Sequence, residues 1–311
     1  MKKYKIQGDP KQNLRKIDFI KFHRLSFIIS VILITTSLVL LFFKGLNLGV
    51  DFSGGSVIEL KVNENFKISN IRSSLKEVHS KISIQTFNDS MLSIKLPTEE
   101  IKKNQALLIE KIKSVINSQL NKNPEYLRTE FVGPQIGQEL VTKGIIALII
   151  SMLFVMIYVW IRFDLNFGVG ATLAILHDAI FMFGFYAATQ IEFNLSSIAA
   201  ILTIIGYSIN DSVVIYDRIR ENTLKSSHRP MAEIINISIN STLSRTMLTS
   251  GITLLSLLAL IFFGGSILFG LSAAIFFGVI VGTYSSIYIA APTLFYIKPT
   301  KLDKSKSDQK F

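Results

Sequence analysis

Cysteine is absent from the 311-residue chain, and charged residues are scarce. Without cysteine there can be no disulfide, no thiolate metal site and no cysteine nucleophile. Charged residues make up 18% of the sequence and hydrophobic residues 49%, whereas soluble domains carry about 25% charged residues. The shortage is local, because 25–43, 144–161, 168–189 and most of 247–295 are nearly uncharged. These stretches approach or exceed the ~20 apolar residues that cross a bilayer, so the composition indicates a membrane protein.

The net charge of +11 is concentrated in three segments that flank apolar runs. Residues 1–24 contribute +6, residues 217–229 contribute +2 and the tail 298–311 contributes +3. Positive charge in these places is typical of a topology signal and of attraction to anionic lipid, so no nucleic-acid partner is expected. The first apolar run lacks a small-residue cleavage pattern, and we expect a retained span rather than a cleaved signal peptide.

The positions of Lys and Arg predict six transmembrane helices with both termini in the cytosol. The basic N-terminus 1–24 precedes a first span at 25–43, which leads into an exported segment, 44–143. The region 144–297 holds five more spans, and 298–311 is a basic cytosolic tail. The later spans are expected at about 144–161, 168–189, 195–216, 243–262 and 267–295. After Pro230 we also expect a separate short amphipathic helix, 231–241, at the membrane surface.

The exported segment is predicted to be a small α+β domain. Alternating apolar residues indicate strands at 57–62, 82–87, 91–96 and 126–132, with a turn at 88–90. Helices are expected at 69–79 and from a start signal at 97–100 to about 120. The order βαββαβ is the split-βαβ, ferredoxin-like plan. No catalytic triad or metal-site spacing occurs in it, and its surface is either ordinary and solvated or binds an unfolded chain or a partner.

Ionisable residues inside the predicted spans are the strongest functional signal. A charge near the middle of a span costs ~2.5–3.5 kcal/mol on insertion scales, so such residues face protein or water and usually mark an ion path. Asp211 in span four lies about seven residues before Arg218, hence ~10 Å inside the cytosolic end. It either carries a proton or forms a permanent structural ion pair. Tyr207, one turn before it, is placed where it could hydrogen-bond it, and Asn210 is adjacent.

Arg245 is the expected partner of Asp211. It falls at the cytosolic end of span five, at a depth close to that of the acid. If the two side chains face each other, protonation of Asp211 would release the arginine and allow span five to move against span four. The alternative is an arginine that extends to the lipid head groups.

Asp178 and His177 form a second candidate pair, halfway along span three. Both side chains need partners within the protein at this depth. They are consistent with a proton relay or a proton-linked gate, and equally with a satisfied structural hydrogen bond.

Several segments resemble the SecD/SecF family of protein-export membrane proteins. The string GVDFSGG at 49–55 resembles a motif shared by the family, and FVGPQIGQEL at 131–140 resembles its lead into span two. GYSINDSVVIYDRIRE at 206–221, SRT at 244–246 and GTYSSI at 282–287 match the SecF-type members. Ser212 and Tyr216, where many relatives have Thr and Phe, are mild departures. The resemblance covers roughly 45–295.

The resemblance implies a member of the resistance–nodulation–division superfamily whose six spans pair with six from SecD. It implies association with the SecYEG channel, often with YajC, and proton-driven movement that pulls unfolded exported polypeptides outward after the ATP-driven step. It places the chain in the bacterial inner membrane with 44–143 in the periplasm. It also implicates the positions of Asp211 and Arg245 in proton transport. No cofactor and no hydrolytic chemistry are expected; the coupling ion is the proton, with sodium left open.

Two other functions compete with a proton-coupled export subunit. A scaffold that stabilises the export channel would use Asp211 and Arg245 as a structural pair that does not titrate. A small-molecule exporter of the same superfamily usually carries both membrane halves in one chain, with much larger exported domains, which 311 residues do not accommodate. A hydrolytic enzyme has no supporting constellation of residues.

Overall fold

The computed structural model describes residues 17–62, 68–79, 82–87, 91–96, 105–120, 124–226 and 228–297. Within these ranges six helical stretches are long and apolar enough to cross a membrane, which confirms the predicted number of spans. They are Ile20–Lys44, Gln135–Arg162, Leu165–Thr189, Leu195–Lys225, Met231–Phe263 and Ile267–Tyr296. The basic ends at 1–16 and 298–311, the turn at 88–90 and the helix start at 97–100 lie outside the described residues.

The six spans are built from helices α1 (His23–Lys44), α5 (Pro134–Arg162), α6 (Leu165–Thr189), α7 (Leu195–Lys225), α8 (Met231–Phe263) and α9 (Gly265–Ser285). A π-helical segment, Ser286–Ala290, and the short α10, Ala291–Tyr296, extend α9 to complete the sixth span. Pro292 has no N–H to donate into the helix, so a change of hydrogen-bond register near it is physically reasonable.

Helices α6 and α7 form the centre of the bundle. In their most apolar stretches 67% and 56% of the residues are buried, against 11% in α1 and in α5. Close packing depends on glycine: a Cβ on Gly184 of α6 would lie 2.4 Å from the Cβ of Ser37 on α1. A Cβ on Gly170 would lie 2.8 Å from the Ala290 carbonyl oxygen. Small residues therefore let neighbouring helices approach α6.

The separate amphipathic helix expected at 231–241 does not exist, and this prediction was wrong. Residues Met231–Phe263 form one continuous helix of 33 residues that begins directly after Pro230. No glycine or proline occurs between 231 and 250, so nothing in the backbone chemistry ends a helix there. The polar first turns simply continue into the apolar span.

The segment between α1 and α5 forms an antiparallel sheet with helices. In chain order it contains α2 (Val50–Ser53), β1 (Gly55–Lys61), α3 (Ile68–Val78), β2 (Ser83–Phe87), β3 (Met91–Leu96), α4 (Gln105–Gln119) and β4 (Glu125–Val132). The strands lie in the order β2-β3-β1-β4, and all neighbours are antiparallel. Alternate residues such as Ile58, Leu60 and Ile94 are fully buried against α3 and α4. This unit is called the α+β domain below.

The α+β domain is attached to the bundle through the loop between α6 and α7. The Gly49 N–H donates to the Phe193 carbonyl and the Phe193 N–H to the Asn47 carbonyl, both at 2.8 Å. Asp51 Oδ2 accepts the Leu195 N–H at 3.0 Å, at the start of α7. Lys95 on β3 forms an ion pair with Glu192 at 3.0 Å. The start of α7 is thus linked directly to the domain.

Candidate functional site

Asp211 is buried on α7, with 4% of its surface exposed. Its Oδ2 atom has no hydrogen-bond partner among the described residues, and the neighbouring Ser212 hydroxyl also has none. A buried carboxylate in this situation is costly, because ionised oxygens need donors. Such a group is stabilised by a proton, by water or by a cation, and this is the chemistry expected of an ion-carrying residue.

Arg245 on α8 acts electrostatically on Asp211. Its side chain is exposed on the outer surface of the bundle. Within the part of the chain that the structure describes, its guanidinium makes no ion pair shorter than 4.0 Å. The expected acid–base partners are therefore within each other's field without being in direct contact. The charge of Asp211 is attracted to Arg245 but not neutralised by it.

Tyr207 does not hydrogen-bond Asp211, contrary to the prediction. Its hydroxyl donates instead to Ser250 on α8 at 3.4 Å, and Ser250 bonds Thr283 on α9 at 2.8 Å. Side chains on a helix lean towards its N-terminus, so the Tyr207 ring extends away from Asp211, which lies one turn further towards the C-terminus. Asn210 is exposed beside Asp211, on the outer face of α7.

Asp178 is fully buried on α6 and has a complete set of partners. Its Oδ1 accepts from His177 Nδ1 at 2.9 Å. Its Oδ2 accepts from the hydroxyls of Ser208 on α7 at 2.5 Å and Ser285 at the end of α9 at 2.8 Å. One carboxylate therefore joins three helices. The requirement for partners within the protein, inferred from its depth, is met.

His177 is buried beside Asp178, with 3% of its surface exposed. Its ring stacks on Phe181 with centroids 4.3 Å apart, and its Nε2 atom has no partner among the described residues. When Nδ1 carries the proton, Nε2 is a bare acceptor rather than an unpaired donor, and the neutral ring fits this setting.

Ser285, Ser250 and Thr283 are site residues to which the sequence interpretation gave no role. They join α6, α7, α8 and α9 through side-chain hydrogen bonds. The signal for Thr283 and Ser285 was the small polar run GTYSSI at 282–287 within an apolar span, and Ser250 lies outside that run. Hydroxyls are frequent at helix contacts in membranes, so this run alone does not show which acid it faces. In the described residues no group of three or more His, Asp or Glu side chains is arranged to hold a metal ion.

Comparison with known proteins identifies the family. The model of the protein export membrane protein SecD/SecF C-terminal domain matches residues 112–300, and that of the SecD/SecF GG motif matches 39–65. The protein translocase subunit SecF of Rickettsia bellii (strain OSU 85-389) is 44% identical over 289 residues, covering 92% of this chain and 95% of that relative. The subunit of Rickettsia prowazekii is 44% identical over 292 residues, covering 92% and 93%.

A solved structure agrees with these relatives. The crystal structure of SecDF, a translocon-associated membrane protein from Thermus thermophilus, superposes with a TM-score of 0.81 at 38% identity. The match covers 91% of this chain and 39% of that one, so the chain spans about two-fifths of the larger protein. Taken with the six spans, these matches show that the chain belongs to the SecD/SecF family and, within it, to the SecF-type protein translocase subunits.

Proposed function

We propose that this subunit pairs with SecD and couples the proton gradient to the outward movement of unfolded polypeptides through the SecYEG channel, with YajC as an associated subunit. The observation that carries the proposal is Asp211: a buried carboxylate within a span, with an unpartnered oxygen, in the field of Arg245. A permanently ion-paired structural acid would be saturated by donors. Ionised Asp211 instead keeps a buried oxygen without a donor, and binding a proton removes the energetic cost of that unsatisfied charge.

The proposed cycle follows from charge. While Asp211 is ionised, it attracts Arg245 and draws α8 toward α7. Once it is protonated, that attraction disappears, and the two helices can move apart. The Tyr207–Ser250–Thr283 bonds keep α7, α8 and α9 connected during this change. Asn210 provides an exposed amide beside the acid, on the outer face of α7. His177 and Asp178 form a second, weaker candidate for a proton-linked site.

A SecD partner is supported by the architecture of the matched SecDF protein, of which this chain covers 39%. It is also supported by the outer face of α7 and α8, where Asn210 and Arg245 are exposed in membrane-spanning helices. Exposed polar groups at this depth favour a protein neighbour over lipid. A chain without that neighbour should not transport protons.

We place the chain in the bacterial inner membrane with both termini in the cytosol and residues 44–143 in the periplasm. The three basic segments support this orientation. We also assign the α+β domain to the ferredoxin-like plan. Its βαββαβ chain order and antiparallel strand order β2-β3-β1-β4 support that assignment.

The test is Asp211→Asn in the complex reconstituted with SecD in vesicles. The amide keeps the shape of the side chain but cannot carry a proton. We expect the complex to assemble, ATP-driven export to continue, and the acceleration by an imposed pH gradient to disappear. Asp217→Asn is the matched control, because Asp217 lies on the same helix with its side chain 48% exposed, next to Arg162. Unchanged acceleration in Asp211→Asn would overturn the proposal and favour the scaffold role.

The coupling ion is tested in the same vesicles. A sodium gradient imposed at equal pH on both sides should not accelerate export if the proton is the ion. Acceleration by sodium alone, lost in Asp211→Asn, would assign Asp211 to sodium instead.

A further inference from the structure

Asp178, Ser208 and Ser285 form a three-residue contact, called the junction below. It contains more possible hydrogen bonds than its hydroxyl protons can make at one time. Ser208 and Ser285 both donate to Asp178 Oδ2, and their own oxygens are 3.3 Å apart. The Ser285 hydroxyl also lies 3.1 Å from the Gly282 carbonyl oxygen on the same helix. Each hydroxyl has one proton to donate, so it can occupy only one of these arrangements at a time.

The first arrangement suits an ionised Asp178. A carboxylate is an acceptor only, and here it receives donors from His177, Ser208 and Ser285. All three donors are used, and no buried donor is left facing the negative charge without a bond. Hydrogen bonds to an ionised group are the stronger kind, so this arrangement holds α6, α7 and α9 firmly together.

The second arrangement suits a protonated Asp178. The new hydroxyl on Oδ2 donates to Ser208 Oγ, Ser208 donates to Ser285 Oγ, and Ser285 turns to the Gly282 carbonyl. The three oxygen–oxygen distances that this series of hydrogen bonds requires are 2.5, 3.3 and 3.1 Å in the structure. The direction of the bonds has reversed, and each hydroxyl again has an acceptor. Only hydroxyl rotation is required, with one proton added to Asp178 and none lost.

The close approach of α7 to α9 that makes this series of hydrogen bonds possible depends on Gly282. A Cβ at that position would lie 3.0 Å from the Ser208 Cβ, tighter than ordinary contact. The Gly282 carbonyl also accepts the Ser286 N–H, the first residue of the π-helical segment. The reversed series of hydrogen bonds therefore ends on the Gly282 carbonyl, at the place where the hydrogen-bond register changes from α-helical to π-helical. π-Helical segments of this kind are frequent at functional sites.

We propose that Asp178, Ser208 and Ser285 form a proton-dependent hydrogen-bond switch that links α7, the helix carrying Asp211, to the register change at the end of α9. The proposal rests on the proton-coupled function above and names two positioning residues for it. Ser208 lies one helical turn before Asp211, so a displacement of Ser208 moves the proton-carrying acid with it. The other titratable groups beside the junction are His177 on α6 and Tyr284 on α9, whose ring centroid is 6.0 Å from that of His177.

The test compares Ser208→Ala and Ser285→Ala with Ser286→Ala in the complex with SecD. Ser286 is the matched control, since its buried hydroxyl donates within its own helix to Thr283 at 3.0 Å. We expect each of the first two changes to reduce gradient-driven acceleration of export by about tenfold, the effect of one lost bond to a charged group. In Ser286→Ala the gradient-driven acceleration of export should stay within about twofold of the parent value. Ser285→Thr keeps the hydroxyl and should therefore retain the acceleration that Ser285→Ala loses.

A double-variant comparison separates positioning from simple structural damage. If the serine acts through Asp178, Ser285→Ala should cost nothing further in an Asp178→Asn background, whereas independent damage would add to it. Infrared difference spectra provide a readout besides export. On acidification the wild-type complex should show a protonated-carboxyl band that is lost in Asp178→Asn and displaced in Ser208→Ala.

The outcomes distinguish this inference from the proposed function. If Asp211→Asn abolishes coupling while both serine variants behave like Ser286→Ala, the switch is overturned and the proposed function stands. If the Asp178 band responds as expected but no gradient accelerates export even in the parent complex, the proposed function falls and the switch remains. Additive costs in the double variant, or no Asp178 band at any pH, overturn the switch.

Discussion

Asp211 and Asp178 are two buried carboxylates on adjacent helices with opposite hydrogen-bonding situations. Asp178 accepts from His177, Ser208 and Ser285, whereas Asp211 leaves Oδ2 without a partner among the described residues. Their positions in apolar spans look alike in the sequence. What differs is the set of side chains that other helices bring to each acid.

This contrast predicts different effects on stability. Asp178→Ala should lower the free energy of unfolding by about 3 kcal/mol, because it leaves buried donors that were bonded to a charged group without an acceptor. Asp211→Ala should change it by less than about 1 kcal/mol, or raise it, since it removes an unsatisfied charge. Thermal unfolding of the two variants in the same detergent measures the difference. Equal destabilisation by both would contradict it.

At the scale of whole elements, two asparagines of α8 hold the segment before α1. Asn240 exchanges two hydrogen bonds with the backbone of Ile17, at 2.9 and 2.8 Å. Asn236 accepts the Ile20 N–H at 3.0 Å and donates to Asp18 at 2.7 Å. The two side chains are one turn apart, so they face the same way and bind consecutive parts of one segment. Arg245 follows on the same helix.

We expect the double variant Asn236→Ala with Asn240→Ala to release this segment. Four hydrogen bonds to the segment are lost, each with a net value of about 1 kcal/mol. Hydrogen exchange at residues 17–22 should then become faster by at least tenfold. Ser256→Ala on the same helix is the control, because among the described residues its hydroxyl bonds the Ile252 carbonyl of its own helix. Unchanged exchange at 17–22 would show that apolar packing, not the asparagines, holds the segment.

The strand β1 contains a titratable group that links stability of the α+β domain to pH. Burial raises the pKa of Glu59 above its ordinary 4.5, opposed by Arg128 and Lys95 and reinforced by Glu192 and Glu130. Its Oε2 atom has no partner among the described residues. Because the folded pKa lies above the unfolded one, its contribution to stability is fully present below about 4.5 and is lost as the pH rises through the folded value.

Glu59→Gln should therefore remove part of the pH dependence of this domain and stabilise it at neutral pH. Hydrogen exchange of β1 in the whole chain, corrected for the intrinsic effect of pH, is the measurement. Glu125→Gln, at an exposed position at the start of β4, should leave the pH profile of the parent unchanged. The prediction fails if the Glu59 variant keeps the parent profile.

At the scale of the whole molecule, the outer surface of the bundle is divided into two kinds. Helices α1 and α5 present large apolar side chains, among them Phe42 at 84% and Ile161 at 72% exposure. The outer face of α7 and α8 adds two polar side chains, Asn210 and Arg245, to exposed apolar ones such as Leu248 and Leu255. Lipid solvates apolar side chains without cost, whereas Asn210 and Arg245 need polar neighbours.

We expect SecD to cover the face of α7 and α8. A cysteine introduced as Asn210→Cys in the naturally cysteine-free chain should react with a maleimide in the isolated chain and become at least tenfold slower in the complex. Ile161→Cys on α5 should react equally in both. Protection of residue 161 with continued reactivity at 210 would place the partner on the other side of the bundle.

The sequence by itself determined the number of spans, since apolar stretches of this length are stable only in lipid. It also identified the acids at depth, because a charge there is too costly to be incidental. Only the tertiary structure decided which groups meet. Ser285 reaches Asp178 across 107 residues, Tyr207 bonds Ser250 rather than Asp211, and Arg245 stays beyond contact distance of the acid. Such pairings depend on helix rotation and on close approach at glycine, and hydropathy and charge patterns encode neither.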